Sequence, residues 1–286
     1  MRRFCCGLLL WSPAAVPPAG AQDRVLTDTI PAPSLGHRAV YRVVLPEGYD
    51  SAFRYPVLWL LHGYGGDETD WLRETELTRD LQRYPIVVVM PSVKNSFYVN
   101  SWADPTSRYE DFVVRDLHDD VVRRYAVDTL REGLAGLSMG GYGALMLALR
   151  HPRRYRFAGV LSGALSVPSP REREDTLAVG LQPAVDSAFG LEPNPHRRAH
   201  DPFVLFRRTP APELPYLYFL IGTGDQFPTF LPRNRALTDS LRAYGARYEY
   251  HEVPGGHDWR VWGGALPSLL ARFWIEVTAP QHRPPQ

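Results

Sequence analysis

The stretch that most restricts this chain is Gly136-Leu137-Ser138-Met139-Gly140, a G-x-S-x-G run between an apolar segment and a helix-like one. A serine on a sharp strand-to-helix turn needs flanking residues without side chains. A Cβ at either flank would collide with the strand or helix packed beside it. Such a turn holds the hydroxyl at the top of a sheet, facing a cleft. It also leaves the Met139 N–H at a helix start, where an oxyanion would develop. Leu134 to Leu137 reads as the feeding strand, and Tyr142 to Arg150 as a buried helix stopped by His151-Pro152. Ser138 is therefore a candidate nucleophile.

The remaining chain, 286 residues in all, has room for one large α/β domain around that turn. Its first 21 residues read as a signal peptide: basic Met1-Arg2-Arg3, apolar Phe4 to Trp11, and an Ala19-Gly20-Ala21 cleavage site. The expectation is a secreted or periplasmic protein whose single domain spans 22–286. Both cysteines, Cys5 and Cys6, fall in the leader, which would leave the mature chain without a thiol for disulfides, nucleophiles or metal sites. Removing Arg2 and Arg3 from the 32 basic residues leaves 30 against 31 acidic ones, a balance that favours neither nucleic acid nor an anionic membrane. No apolar run reaches the ~18 residues of a membrane span. Lys94 is the only lysine, so Schiff-base chemistry has one candidate and no supporting context.

Strands are expected at Val25 to Ile30, His37 to Leu45, Pro56 to Leu61, Ile86 to Pro91, Leu134 to Leu137, Phe157 to Leu161, Tyr216 to Ile221 and Arg247 to Val253. Helices are expected at Asp67 to Arg83, Glu110 to Tyr125, Tyr142 to Arg150, Pro232 to Tyr244 and Trp259 to Val277. Residues 164–215, rich in Pro, Arg and Glu, read as an insertion lying over the C-terminal strand ends. The tail from Thr278 reads as frayed. This alternation predicts a mostly parallel, doubly wound sheet with helices on both faces, and reactive groups at the C-terminal strand ends.

A nucleophilic serine needs a base and a group to orient the base. Asp225, in Gly222-Thr223-Gly224-Asp225-Gln226 after one strand, is placed to hold an imidazole. His257, in Gly255-Gly256-His257-Asp258-Trp259 after the next, is the natural base. His251 inside a strand, His151 at a helix end, and His196 and His200 in the insertion are weaker choices. Asp258 adjoins the histidine and stands second to Asp225, with Asp201 an outside choice. The loop His62-Gly63-Tyr64-Gly65-Gly66 follows a buried strand, and its Tyr64 N–H is the expected partner of the Met139 N–H in an oxyanion hole. Trp102, Phe227 and Trp259 either line an acyl or aryl pocket or pack in the core. No metal-ligand spacing, dinucleotide fingerprint or P-loop is present, so neither a metal nor a cofactor is expected.

Together, His62-Gly63-Tyr64-Gly65-Gly66, Gly136 to Ala144, His151-Pro152, Gly222-Thr223-Gly224-Asp225 and Gly256-His257-Asp258-Trp259 resemble the esterase D-like hydrolases. That group includes feruloyl, acetylxylan, tributyrin-type and siderophore trilactone esterases, S-formylglutathione hydrolases and secreted mycolyltransferases. The resemblance runs from about residue 37 to 276. It implies an α/β-hydrolase fold without cofactor, a Ser138–Asp225–His257 triad, and the Tyr64 and Met139 amides as oxyanion donors. The expected function is a serine carboxylesterase acting on short-chain, aryl or sugar-linked esters, its partner a small-molecule or carbohydrate-linked ester. An acyltransferase, a trilactone esterase and a non-catalytic secreted binding protein are the alternatives. Acyl length and oligomeric state are left open.

Overall fold

A computed structural model describes residues 24–168, 181–191 and 194–280. The expected leader, both cysteines, residues 281–286 of the tail, and residues 169–180 and 192–193 of the expected insertion lie outside the described residues. Eight strands form one sheet: β1 (Val25–Ala32), β2 (His37–Val44), β3 (Tyr55–Leu61), β4 (Val87–Pro91), β5 (Val127–Leu137), β6 (Tyr155–Leu161), β7 (Tyr216–Gly222) and β8 (Tyr248–Val253). Their order is β1-β2-β4-β3-β5-β6-β7-β8, with β1–β2 and β2–β4 antiparallel and every later pairing parallel.

The strand period of two divides the apolar residues between two cores. Val57, Trp59 and Leu61 face one, and Leu58 and Leu60 the other; Val87 and Val89 alternate likewise with Val88 and Met90. This is why β3 and β4 read as unbroken apolar runs: they are buried on both faces.

Two expected helices are not regular. The stretch from Asp67 to Arg83 breaks into α1 (Asp70–Glu74), α2 (Leu77–Asp80) and a 3-10 turn (Leu81–Arg83). Thr75 is extended at the break, and its hydroxyl donates back to the Trp71 carbonyl. Trp71, Leu77 and Leu81 are still all buried. Between α3 (Tyr109–Asp111) and α4 (His118–Arg124) the chain makes a π-helical turn, Phe112–Leu117. That wider turn brings Phe112, Val113, Val114 and Leu117 to the core together. β5 begins seven residues earlier than its apolar end suggests, because its polar half from Val127 to Arg131 carries no apolar run.

α5 (Met139–Arg150) is buried along nearly its whole length under the sheet's centre. Within 164–215 the described residues include the short helices α6 (Gln182–Phe189), α7 (Pro195–Ala199) and α8 (Pro202–Leu205), docked against α5, and two 3-10 turns, Phe206–Arg208 and Ala211–Glu213. The Tyr142 hydroxyl donates to the His200 carbonyl at 2.8 Å, and Arg150 to the Ala199 carbonyl at 3.1 Å. Buried Glu110 accepts from Arg150 at 2.7 Å and from His151 at 3.0 Å on the same side. α9 (Phe230–Tyr244) follows β7, and α10 (Trp259–Thr278) follows β8.

The glycines flanking Ser138 are dictated by contact. A Cβ on Gly136 would lie 2.5 Å from the Gly140 backbone, and one on Gly140 would lie 2.5 Å from the Leu61 and His62 carbonyl oxygens. Neither backbone can withdraw without opening the sheet. Gly140→Ala is therefore expected to cost about 2 kcal/mol or more of stability, read as a lower midpoint in chemical denaturation.

Candidate active site

Ser138 sits at φ +53°, ψ −116°, a conformation that costs a non-glycine residue about 1–3 kcal/mol and persists only where its surroundings enforce it. Here the sheet enforces it. The Ser138 N–H donates to the Leu161 carbonyl at 2.8 Å, and the Ser138 carbonyl accepts from Tyr142 at 3.0 Å and Ala164 at 3.1 Å.

Two more loops bring the other polar groups to the same rim. The loops after β7 and β8 are tied together by Thr223 N–H to the Val253 carbonyl and Gly224 N–H to the Gly255 carbonyl, both 2.8 Å. They pass so closely that a Cβ on Gly222 would lie 2.4 Å from the Gly255 oxygen. That register sets His257 Nδ1 2.8 Å from Asp225 Oδ2 and His257 Nε2 2.9 Å from Ser138 Oγ. A carboxylate only accepts, so the imidazole proton lies on Nδ1 and the Nε2 lone pair faces the serine hydroxyl. The second Asp225 oxygen accepts from the Phe227 N–H at 3.0 Å, and Gln226 Oε1 accepts from the His257 N–H at 2.7 Å. The Asp225 side chain is wholly buried. Phe227, Phe230 and Trp262 pack around the imidazole with centroids 4.8, 5.3 and 4.9 Å away. The hydrogen bonds of the three groups thus operate in a water-poor setting, where they are stronger.

The loop after β3 is braced from beneath. Buried His62 accepts the Val93 N–H on Nε2 at 3.1 Å, so its Nδ1 carries the proton and donates to the Gly63 carbonyl at 2.8 Å. The Tyr98 hydroxyl donates to the His62 carbonyl at 2.9 Å, and Asn95 Oδ1 accepts from the Gly65 N–H at 2.7 Å. Met139 is the first residue of α5, so its N–H has no intrahelical acceptor. Tyr64 and Met139 both border a cleft of about 220 Å³ that contains Ser138 and His257.

Phe227 and Trp259 line this cleft, with Phe97, Phe230, Leu181 and Trp262. Trp102 does not. Trp102 is 55% exposed, its ring tilted against that of His196 with centroids 5.7 Å apart, and its backbone N–H donates to the Ala188 carbonyl of α6 at 3.1 Å. Of the weaker candidates, Asp258 caps α10 through the Arg260 and Val261 N–H groups, and Asp201 caps α8 through Phe203. His251 pairs with Glu249 on β8, and His151 and His200 lie beside Glu110. Sequence reasoning missed His62, Asn95, Phe230 and Trp262. Only Trp262 carried a signal, lying one helical turn after Trp259. Among the described residues no cluster of His, Cys, Asp or Glu is arranged to hold a metal, and no helix is long and apolar enough to cross a membrane.

Sheet order, the turn at Ser138 and the serine–imidazole–carboxylate line define a serine hydrolase on the α/β-hydrolase fold. Comparison with known proteins narrows the class. The Esterase family model matches residues 32–273. The chain is 28% identical over 224 residues to an acetyl esterase of Caldicellulosiruptor saccharolyticus, covering 74% of this chain and 81% of that protein. It is 32% identical over 162 residues to an endo-1,4-beta-xylanase/feruloyl esterase of Xylanibacter ruminicola, covering 51% of this chain and 22% of that longer protein. Among solved structures it superposes on the substrate-bound fluorophosphonate-binding serine hydrolase F of Staphylococcus aureus with a TM-score of 0.76 and 24% identity, covering 89% of this chain and 98% of that one. The chain belongs to the Esterase family and is a serine ester hydrolase.

Two outcomes follow from the braces. Asn95→Ala releases the Gly65 N–H and is expected to lower kcat on p-nitrophenyl butyrate about ten-fold with little change in KM, as loss of an interaction worth about 1.4 kcal/mol in the transition state would. Burial pushes the His62 pKa down, and burial followed by the neighbouring His200 pushes that of His196 down to about 4. In the unfolded chain both imidazoles take up protons near pH 6.5, so the unfolded state binds more protons below that pH. Stability therefore falls as pH drops from about 6.5 toward 4. His62→Asn, less stable at neutral pH, should lose less melting temperature over that range.

Proposed function

We propose that the chain is an exported carboxylesterase hydrolysing short-chain, aryl or sugar-linked carboxylic esters through an acyl-enzyme. His257 Nε2 takes the Ser138 hydroxyl proton as Oγ attacks the ester carbonyl carbon. The Tyr64 and Met139 N–H groups take the resulting oxyanion, and Asp225 stabilises the imidazolium. The tetrahedral intermediate collapses as His257 returns the proton to the leaving alkoxide, freeing the alcohol and leaving Ser138 acylated. Water, deprotonated by the same imidazole, attacks the acyl carbonyl; release of the acid restores the serine.

The observation that carries this reading is the unbroken line from Asp225 Oδ2 through His257 to Ser138 Oγ, at 2.8 and 2.9 Å, opening on the cleft. Apolar walls beside the serine suit an acyl or aryl group, and the acetyl and feruloyl esterase names of the relatives support small and aromatic acids.

Ser138→Ala is expected to reduce p-nitrophenyl butyrate turnover by at least about 10³-fold while leaving the melting temperature within a few degrees of wild type. Asp225→Asn should lose a comparable factor through the wrong imidazole tautomer. Undiminished turnover in the serine variant would refute the assignment.

A further inference from the structure

The aromatic and aliphatic walls of the cleft at Ser138 hold one charged side chain that the proposed chemistry does not use. Asp70, on α1, is 6% exposed. Among the described residues it is the one carboxylate of the lining, and no lysine or arginine lines the cleft to oppose it. Its neighbour Trp71 packs edge-on against Trp259 with centroids 5.3 Å apart, and Trp259 packs edge-on against Trp262 at the same distance. Trp259 and Trp262 line the cleft with Asp70, so these contacts bring the carboxylate to the side that the two indoles form.

Asp70 is held in place without losing its charge. Its Oδ1 accepts from Arg73 at 2.7 Å, and its Oδ2 from the Asp67 N–H at 3.3 Å. The Arg73 side chain is 57% exposed, and its Nε donates to Glu74 at 2.7 Å, so one solvated cation is divided between two anions. The segment from Asp67 to Glu76 carries five acidic residues against that one arginine.

A fixed anion here works against a neutral ester. A Cβ on Gly66 would lie 1.9 Å from Asp70 Oδ2, which places the carboxylate against the loop that carries Tyr64. Its field therefore opposes the negative charge that develops on the carbonyl oxygen. A positive charge on the substrate would offset that field, and the electron-rich indole faces would add to the attraction. A quaternary ammonium suits such walls best, because it has no N–H to leave unpaired. The leaving oxygen takes its proton from His257, and Trp259 follows His257 by two residues. Groups on this side of the cleft thus meet the alcohol portion of the ester.

We infer that Asp70, with Trp259 and Trp262, makes the cleft selective for esters whose alcohol carries a quaternary ammonium group. Asp70 is then a specificity-determining residue. The inference rests on the esterase reading above and names a substrate class within it.

Butyrylcholine and its carbon analogue neohexyl butyrate test it, since they share shape and acyl group and differ by a charged nitrogen in place of a carbon. The charged nitrogen also makes choline the better leaving group, so the deciding quantity is the change in the kcat/KM ratio between proteins at fixed ionic strength. Asp70→Asn keeps the side-chain shape and is expected to lower the choline-to-neohexyl ratio about ten-fold, equivalent to about 1.4 kcal/mol. Should that variant fail to fold, Trp259→Leu, on a different element, is expected to lower the same ratio. Inhibition of wild type needs no variant: choline should compete with p-nitrophenyl butyrate at about one tenth of the concentration that neohexyl alcohol requires. An unchanged ratio in either folded variant, a wild-type ratio below one, or equal inhibition by the two alcohols would overturn the assignment. Failure of the esterase reading looks different: wild type would then leave p-nitrophenyl butyrate and both alkyl butyrates intact.

Discussion

The left-handed backbone of Ser138 is the constraint on which the site depends. A residue at φ +53° between strand and helix is unfavourable by itself. It is held because β5 and α5 are both committed to the core: β5 pairs on both sides with β3 and β6, and α5 is buried from Met139 to Leu149. The turn joins two elements that cannot move apart, and the glycines at 136 and 140 make the approach sterically possible. Strain at one residue is thereby borne by packing spread over the centre of the molecule.

From that fixed hydroxyl, the rest of the site is a matter of loop register. Parallel strands end at one rim, so loops after β3, β5, β7 and β8 converge without any contact being close in sequence. Backbone hydrogen bonds between the β7 and β8 loops set the carboxylate and imidazole as a unit, and three aromatic rings keep that unit dry. On the opposite side, His62, Asn95 and Tyr98 fix the loop that carries Tyr64. None of these three touches a reacting atom in the proposed chemistry; they position groups that do.

The extent to which this was legible in the chain follows from the physics of each feature. Local signals carried the strands: β3 and β4 are apolar throughout because they are buried on both faces, and the serine turn is marked by glycines a Cβ would not allow. Ser138, Asp225 and His257 could be picked out as candidates because each follows a strand end, of β5, β7 and β8, although β8 is polar and partly exposed. Thr75 ended a helix that apolar spacing alone would continue, since a back-bonding hydroxyl leaves no periodic trace. The π turn from Phe112 to Leu117 was equally hidden. Trp102 was misplaced because an aromatic near a site loop in sequence has no fixed direction in space; its backbone is claimed by α6. His62 and Asn95 act through partners some thirty residues away, at Val93 and Gly65, and only the fold brings those pairs together.

The proposed chemistry requires one imidazole to activate a single hydroxyl, and covalent trapping reads that directly. A fluorophosphonate reagent, followed by peptide mass spectrometry of wild type and of His257→Ala, locates the reactive oxygen. The expected result is one adduct on the peptide containing Ser138, formed rapidly in wild type and at least about a hundred-fold more slowly without the imidazole. An adduct on another residue, or equal labelling of the two proteins, would contradict it.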